Sequence, residues 1–206
     1  AERSTAVRTL VEQSKLSLAL PKTPGLDWMA SPPIPKDATV VTDLDRDFLE
    51  GQPQQVVSDT AEIRRDWAAG VQTIDTPRSQ AVSGWVGERA LRTRDASFDL
   101  STAKATVVFT ALDDQPLRSS RRILVTAVAR ARPDADDARW LSEPVRGTIG
   151  LRSDHPQLEM IPLLGNDRVR DSAPKRDAVK GQRKGDRTTF ELGARSATHW
   201  YLIAVP

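Results

Sequence analysis

Chemistry in this chain would have to come from carboxylates, hydroxyls, two histidines and five tryptophans, because cysteine is absent. Glycoside hydrolysis is the first possibility to weigh. It needs two carboxylates across a sugar, about 5–5.5 Å apart for retention or about 6.5–9.5 Å for inversion. Glu62 and Asp75 would approach one another if residues 58–80 form a hairpin, but Arg64, Arg65 and Arg78 stand beside them. Ion pairing or turn capping accounts for these carboxylates better than catalysis does. Ser101 and Lys104 have the Ser-x-x-Lys spacing of β-lactamases. No Lys-Thr-Gly follows, Ser58-Asp59-Thr60 precedes the match where it should follow, and no helix is expected there, so the match is chance. His155 and His199 each lack a second ligand at metal-binding spacing. His155, beside Pro156, reads as a turn residue, and His199, before Trp200 and Tyr201, as the residue leading into a strand. Asp43, Asp45 and Asp47 have the spacing that opens a calcium loop, but Phe48 takes the glycine position and Gln54 the final glutamate position. A solvated turn is the better reading. No catalytic residue, metal ligand or cofactor is assigned.

The tryptophans carry a different chemistry, because the C–H face of a sugar ring stacks on an indole. Their ordinary use is to fill cores and seams. Trp85 and Trp200 lie in apolar runs and read as core. Trp67 falls at the expected hairpin loop and Trp140 follows the acidic segment 133–138, so these two are the candidate carbohydrate-binding residues. Trp28 lies in a connector rich in proline (Pro21, Pro24, Pro32, Pro33, Pro35), where a large apolar ring needs a neighbouring surface.

The elements that would position these residues are mostly strands. Residues 58–80 predict a hairpin in which Gly70 takes the positive φ that closes a four-residue loop and Ile63 stands opposite Ile74. Pro77, without a backbone donor, ends the second strand. Gly84 marks a bulge or a close backbone approach in the following strand, 81–86. The strongest strands are 105–112 and 122–129, apolar on both faces. Short runs at 147–151, 158–164, 188–192 and 200–205, separated by turn residues, complete the pattern of an all-β, antiparallel β-sandwich over 38–206. Before it, residues 1–20 predict one amphipathic helix with Val7, Leu10, Val11 and Leu18 on one face. With no partner helix later in the chain, that face is expected to bury against the sheet or a second domain. Leu10, Val11 and Trp28 are therefore candidate interdomain contacts, and residues 1–37 form a helix-and-connector unit.

A chain of 206 residues can bury a sizeable core. The formal net charge of +2 is too small to argue for nucleic acid, and the basic stretch 168–187 contains no aromatic residue on which bases could stack. No apolar run is long enough to cross a membrane. The absence of cysteine fits a periplasmic or secreted protein, with any targeting segment expected upstream.

Ser58-Asp59-Thr60-x-Glu62-Ile63, followed by Ile74-Asp75-Thr76-Pro77-Arg78-Ser79-Gln80, resembles a signature of bacterial glycoside-hydrolase-like proteins. Leu112-Asp113-Asp114-Gln115-Pro116-Leu117 and Ser120-Arg121-Arg122-Ile123-Leu124 are similar to the next elements of the same domain. In order and spacing the resemblance covers about residues 38 to 130, and more loosely the chain to Trp200. It implies a β-sandwich accessory domain C-terminal to a (β/α)8 catalytic barrel, with the acid/base and nucleophile on the barrel. It further implies that the barrel is this chain's partner and a polysaccharide the substrate of the whole. Ala61 departs from the pattern, which has glycine there. An independent carbohydrate-binding module with exposed tryptophans is the other reading. A hydrolase complete in these residues is the least favoured.

Overall fold

The computed structural model describes residues 54–134, 140–163, 178–193 and 198–206, with Ser14, 24–25, 33–38 and Val40 besides. The expected N-terminal helix, Leu10, Val11, Trp28 and the Asp43–Asp47 segment lie outside the described residues.

The described chain is all-β, with every strand pairing antiparallel. Its first eight strands are β1 (Gln55–Val57), β2 (Ile63–Asp66), β3 (Val71–Asp75), β4 (Ser79–Trp85), β5 (Ala90–Arg92), β6 (Ala96–Leu100), β7 (Lys104–Ala111) and β8 (Arg122–Val128). The remaining eight are β9 (Ala131–Pro133), β10 (Trp140–Ser142), β11 (Gly147–Arg152), β12 (Glu159–Leu163), β13 (Val179–Lys180), β14 (Gln182–Lys184), β15 (Arg187–Leu192) and β16 (Trp200–Ala204). A nine-stranded sheet has the order β1-β2-β3-β4-β7-β8-β16-β12-β13, a five-stranded sheet the order β14-β15-β11-β6-β5, and β9 and β10 form a separate hairpin.

The two larger sheets share one core, a sandwich-like arrangement. Alternation decides which side chains enter it. In β7, Ala105, Val107, Phe109 and Ala111 are buried, and in β8 Ile123, Val125 and Ala127 are. From the smaller sheet, Phe98, Leu100, Ile149, Leu151, Phe190 and Leu192 meet them. Phe98 and Phe109 pack edge to face across the gap, with ring centroids 5.7 Å apart. Burying side chains of this size contributes roughly 1.5–3 kcal/mol each.

The hairpin forms as expected. Ile63 pairs with Ile74, the loop runs from Trp67 to Gly70, and Gly70 has φ +63°. Gly84 is the close approach anticipated for it, since a Cβ there would lie 2.0 Å from the Gly70 carbonyl oxygen. The reading of β7 and β8 as apolar on both faces holds in part. Val108 and Leu124 do face away from the core but are only half-buried, and threonines Thr106, Thr110 and Thr126 share that outer face. Further across it, Ile161, Leu163 and Leu202 form a second buried cluster with Leu124, Ala178 and Ala204.

Candidate functional site

Strand direction and register give the nine-stranded sheet two unlike ends. At the lower end lie the β1–β2, β3–β4 and β7–β8 turns. The upper end holds the β2–β3 loop, the last residue of β4 and the first residue of β16.

The lower end holds the residues of the glycoside-hydrolase-like resemblance, and most of their polar groups are engaged in building turns. Ser58 Oγ accepts the Ile63 amide at 3.0 Å, and Asp59 Oδ1 accepts the Thr60 amide at 2.8 Å. Ala61 has φ +58°, a left-handed conformation that favours glycine, so alanine here keeps the turn at a conformational cost. Thr76 Oγ1 accepts the Ser79 amide at 2.9 Å. Arg78 pairs with Asp114 at 2.6 Å, tying the β3–β4 turn to the loop after β7. Asp113 accepts Ser120 Oγ and the Arg121 amide, both at 2.7 Å. Partial burial acts against its charge, but these two hydrogen bonds and one from the Gln115 backbone outweigh it and hold the carboxyl below its ordinary pKa of 3.8.

Gln80 is the most deeply engaged member of this group, fully buried and facing the smaller sheet. Its Oε1 accepts the amides of Asp95 and Ala96, each at 2.9 Å, and the Thr93 hydroxyl at 2.8 Å. Its Nε2 donates to Asp95 Oδ2 at 3.1 Å and to the Thr76 carbonyl at 3.3 Å. One side chain from the larger sheet thus satisfies the β5–β6 turn of the smaller one. A glutamine in a strand carries no such signal in sequence, because its partners come from a turn that only the folded sheets bring close.

Glu62 and Asp75 do come together across the hairpin, where the Asp75 amide donates to the Glu62 carbonyl at 2.7 Å. The arginine at Asp75 is Arg94, however, not Arg64, Arg65 or Arg78. Asp75 Oδ2 accepts the Arg94 amide at 3.0 Å, and the Arg94 guanidinium lies 3.9 Å from Oδ1. Ser101 and Lys104 flank a turn, and its Thr102 Oγ1 accepts the Arg146 amide at 2.9 Å. His155 sits in the turn after β11 with Nε2 3.0 Å from the Ser119 carbonyl oxygen, and His199 leads directly into β16. Among the described residues no group of three or more His, Cys, Asp or Glu could hold a metal.

The upper end holds the tryptophans. Trp67 is half-buried in the β2–β3 loop, with the Arg65 guanidinium 4.5 Å from its ring centroid. The cation already occupies one face of that indole. Trp140 is 72% exposed in the β9–β10 hairpin, beside exposed Leu141. Trp85 and Trp200 overturn the sequence reading. They are 55% and 46% exposed and stand on the outer face of the nine-stranded sheet. Their phase explains it. Adjacent strand residues point to opposite faces, and Tyr201 and Ile203 take the core side of β16, leaving Trp200 outside with Leu202. In β4, Gln80 and Val82 take the core side, leaving Trp85 outside with Ser83. Trp85 packs one edge on Gly70, where a Cβ would come within 2.7 Å of its Cδ1, and the Lys104 ammonium lies 5.6 Å from its ring centroid.

Comparison with protein families, with curated proteins and with solved structures finds no match to this chain.

Proposed function

We propose that this chain is a non-catalytic β-sandwich accessory domain of a bacterial, periplasmic or secreted, polysaccharide-active glycoside hydrolase, supplying contact surface beside a (β/α)8 catalytic barrel. The observation that supports this reading is the division between the two ends. Ser58, Asp59, Asp75, Thr76, Gln80, Asp113 and Ser120 of the resemblance are taken up in turn and loop contacts, while the large aromatic surface is gathered at the other end and left open. A catalytic centre would need the reverse, with carboxylates free to face a substrate. Purified chain incubated with a panel of neutral and acidic polysaccharides is expected to release no reducing sugar. Release that disappears in Glu62→Gln would overturn the reading.

An independent carbohydrate-binding module is the second reading, and two observations favour it over docking against a barrel. Trp85, Trp140 and Trp200 are all substantially exposed. The apolar cluster of Ile161, Leu163 and Leu202, which would have served as a docking patch, is already buried within this chain. An isolated chain that binds polysaccharide without any barrel would favour the module.

A further inference from the structure

We infer that the outer face of the nine-stranded sheet between Trp85 and Trp200 is a binding site for an acidic, uronate-bearing oligosaccharide. This deepens the carbohydrate reading above and rests on it. Trp85 lies on β4 and Trp200 on β16, three strands away in the order β4-β7-β8-β16. The register carries Trp200 through Thr126 and Val108 to Ala81, four residues before Trp85 on the same strand. The two indoles therefore stand about 20 Å apart by ordinary strand and residue spacings. That span suits a chain of several sugars and is too long for one.

The surface between them has the mixed chemistry a sugar presents. Val108 and Val128 offer methyl groups to C–H faces, and Ser83, Thr106 and Thr126 offer hydroxyls, all at half-buried positions on the outer face. Ser83 Oγ and Thr106 Oγ1 hydrogen-bond each other at 2.7 Å. Whichever of the two donates, the other keeps a proton to give to a sugar oxygen. The relief is low, because the rows between the tryptophans contain only alanine, valine, serine and threonine.

Charge selects among glycans. Lys104 is exposed, reaches the Trp85 ring and has no ion pair among the described residues. None of the outward residues of β4, β7 and β8 in these rows is acidic. An ammonium beside a stacking ring, with no carboxylate paired to it among the described residues, complements a sugar that carries its own carboxylate at the ring edge.

The test is affinity electrophoresis of the full chain through gels containing polygalacturonate, alginate, xylan or hydroxyethylcellulose, with thermal unfolding as the check on folding. Acidic polymers are expected to retard the chain and neutral ones to do so far less. Trp85→Ala and Trp200→Ala, which leave the charge unchanged, should each weaken retardation by about tenfold, as expected for loss of one stacked ring. Lys104→Gln should remove the preference for acidic polymers, and Trp140→Ala should change nothing. Should Trp85→Ala fail to fold, Thr126→Glu places a repelling carboxylate at the centre of the face and is expected to abolish retardation. Three results would overturn the proposal: no retardation by any polymer, equal retardation by neutral and acidic polymers, or retardation that survives Trp200→Ala and Thr126→Glu and vanishes with added salt. None of these touches the non-catalytic reading, which is decided by the hydrolysis assay alone.

Discussion

The two ends of the nine-stranded sheet use their side chains in opposite ways. At the lower end Ser58, Asp59, Thr76, Gln80, Asp113 and Ser120 each hydrogen-bond a turn or a neighbouring loop. At the upper end Trp85, Trp140 and Trp200 leave large apolar area in water. The difference teaches that a run of chemically rich residues can record architecture, while plainer residues in strands supply the contact surface. Polar groups committed to buried or strained turns have little freedom left for a ligand, and large exposed rings contribute little to folding.

The largest test of this contrast is Gln80→Ala. Two buried amides and a hydroxyl would lose their acceptor, and each unsatisfied group costs about 1–3 kcal/mol, so a loss of about 3 kcal/mol or more is expected in urea unfolding. Trp140→Ala, from the other end, should stay within about 0.5 kcal/mol. If the two variants lost similar stability, the contrast between the ends would not stand.

Asp113→Asn should cost about 1 kcal/mol near neutral pH, because the amide cannot accept from both Ser120 and the Arg121 backbone as the carboxylate does. The carboxyl's pKa is lower in the fold than in the unfolded chain. Its stabilising contribution is therefore complete above the ordinary value of 3.8 and lost as pH falls through the lower folded value. Unfolding followed as a function of pH should show the wild-type advantage over Asp113→Asn shrinking only below about pH 4. An advantage that stayed constant down to pH 2 would mean the carboxylate is not what Ser120 and Arg121 require.

The smallest effect has the opposite sign. Ala61→Gly relieves a left-handed residue and should raise stability by up to about 1 kcal/mol, offset in part by the greater freedom of glycine in the unfolded chain. A destabilised Ala61→Gly would show that the Ala61 methyl makes contacts that outweigh the strain.

Much of the fold was legible in the sequence because its signals are local. Gly70, Pro77 and the Ile63–Ile74 pairing follow from turn length and the two-residue period of a strand. β7 and β8 follow from dense β-branched and aromatic runs. The short β6 was harder to read, although Ala96, Phe98 and Leu100 alternate correctly, because Ser97 and Asp99 dilute the pattern. The tryptophan surface was misread for a different reason. Period alone separates Trp200 from Tyr201, but which of the two enters the core depends on the sheet packed against them. Gln80 was illegible for the same reason, since its partners at Thr93, Asp95 and Ala96 belong to the other sheet.

Among the described residues, the outermost strands carry one more consequence. β1, β5 and β14 have three residues each and β13 has two. An incoming strand templated on any of them would find too few backbone donors and acceptors to hold it. Partners are thus steered away from adding a strand to a sheet margin, and crowded copies of the chain have little means of stitching their sheets together. In practical terms the domain should tolerate high concentration and fusion to a neighbouring fold without growing fibres.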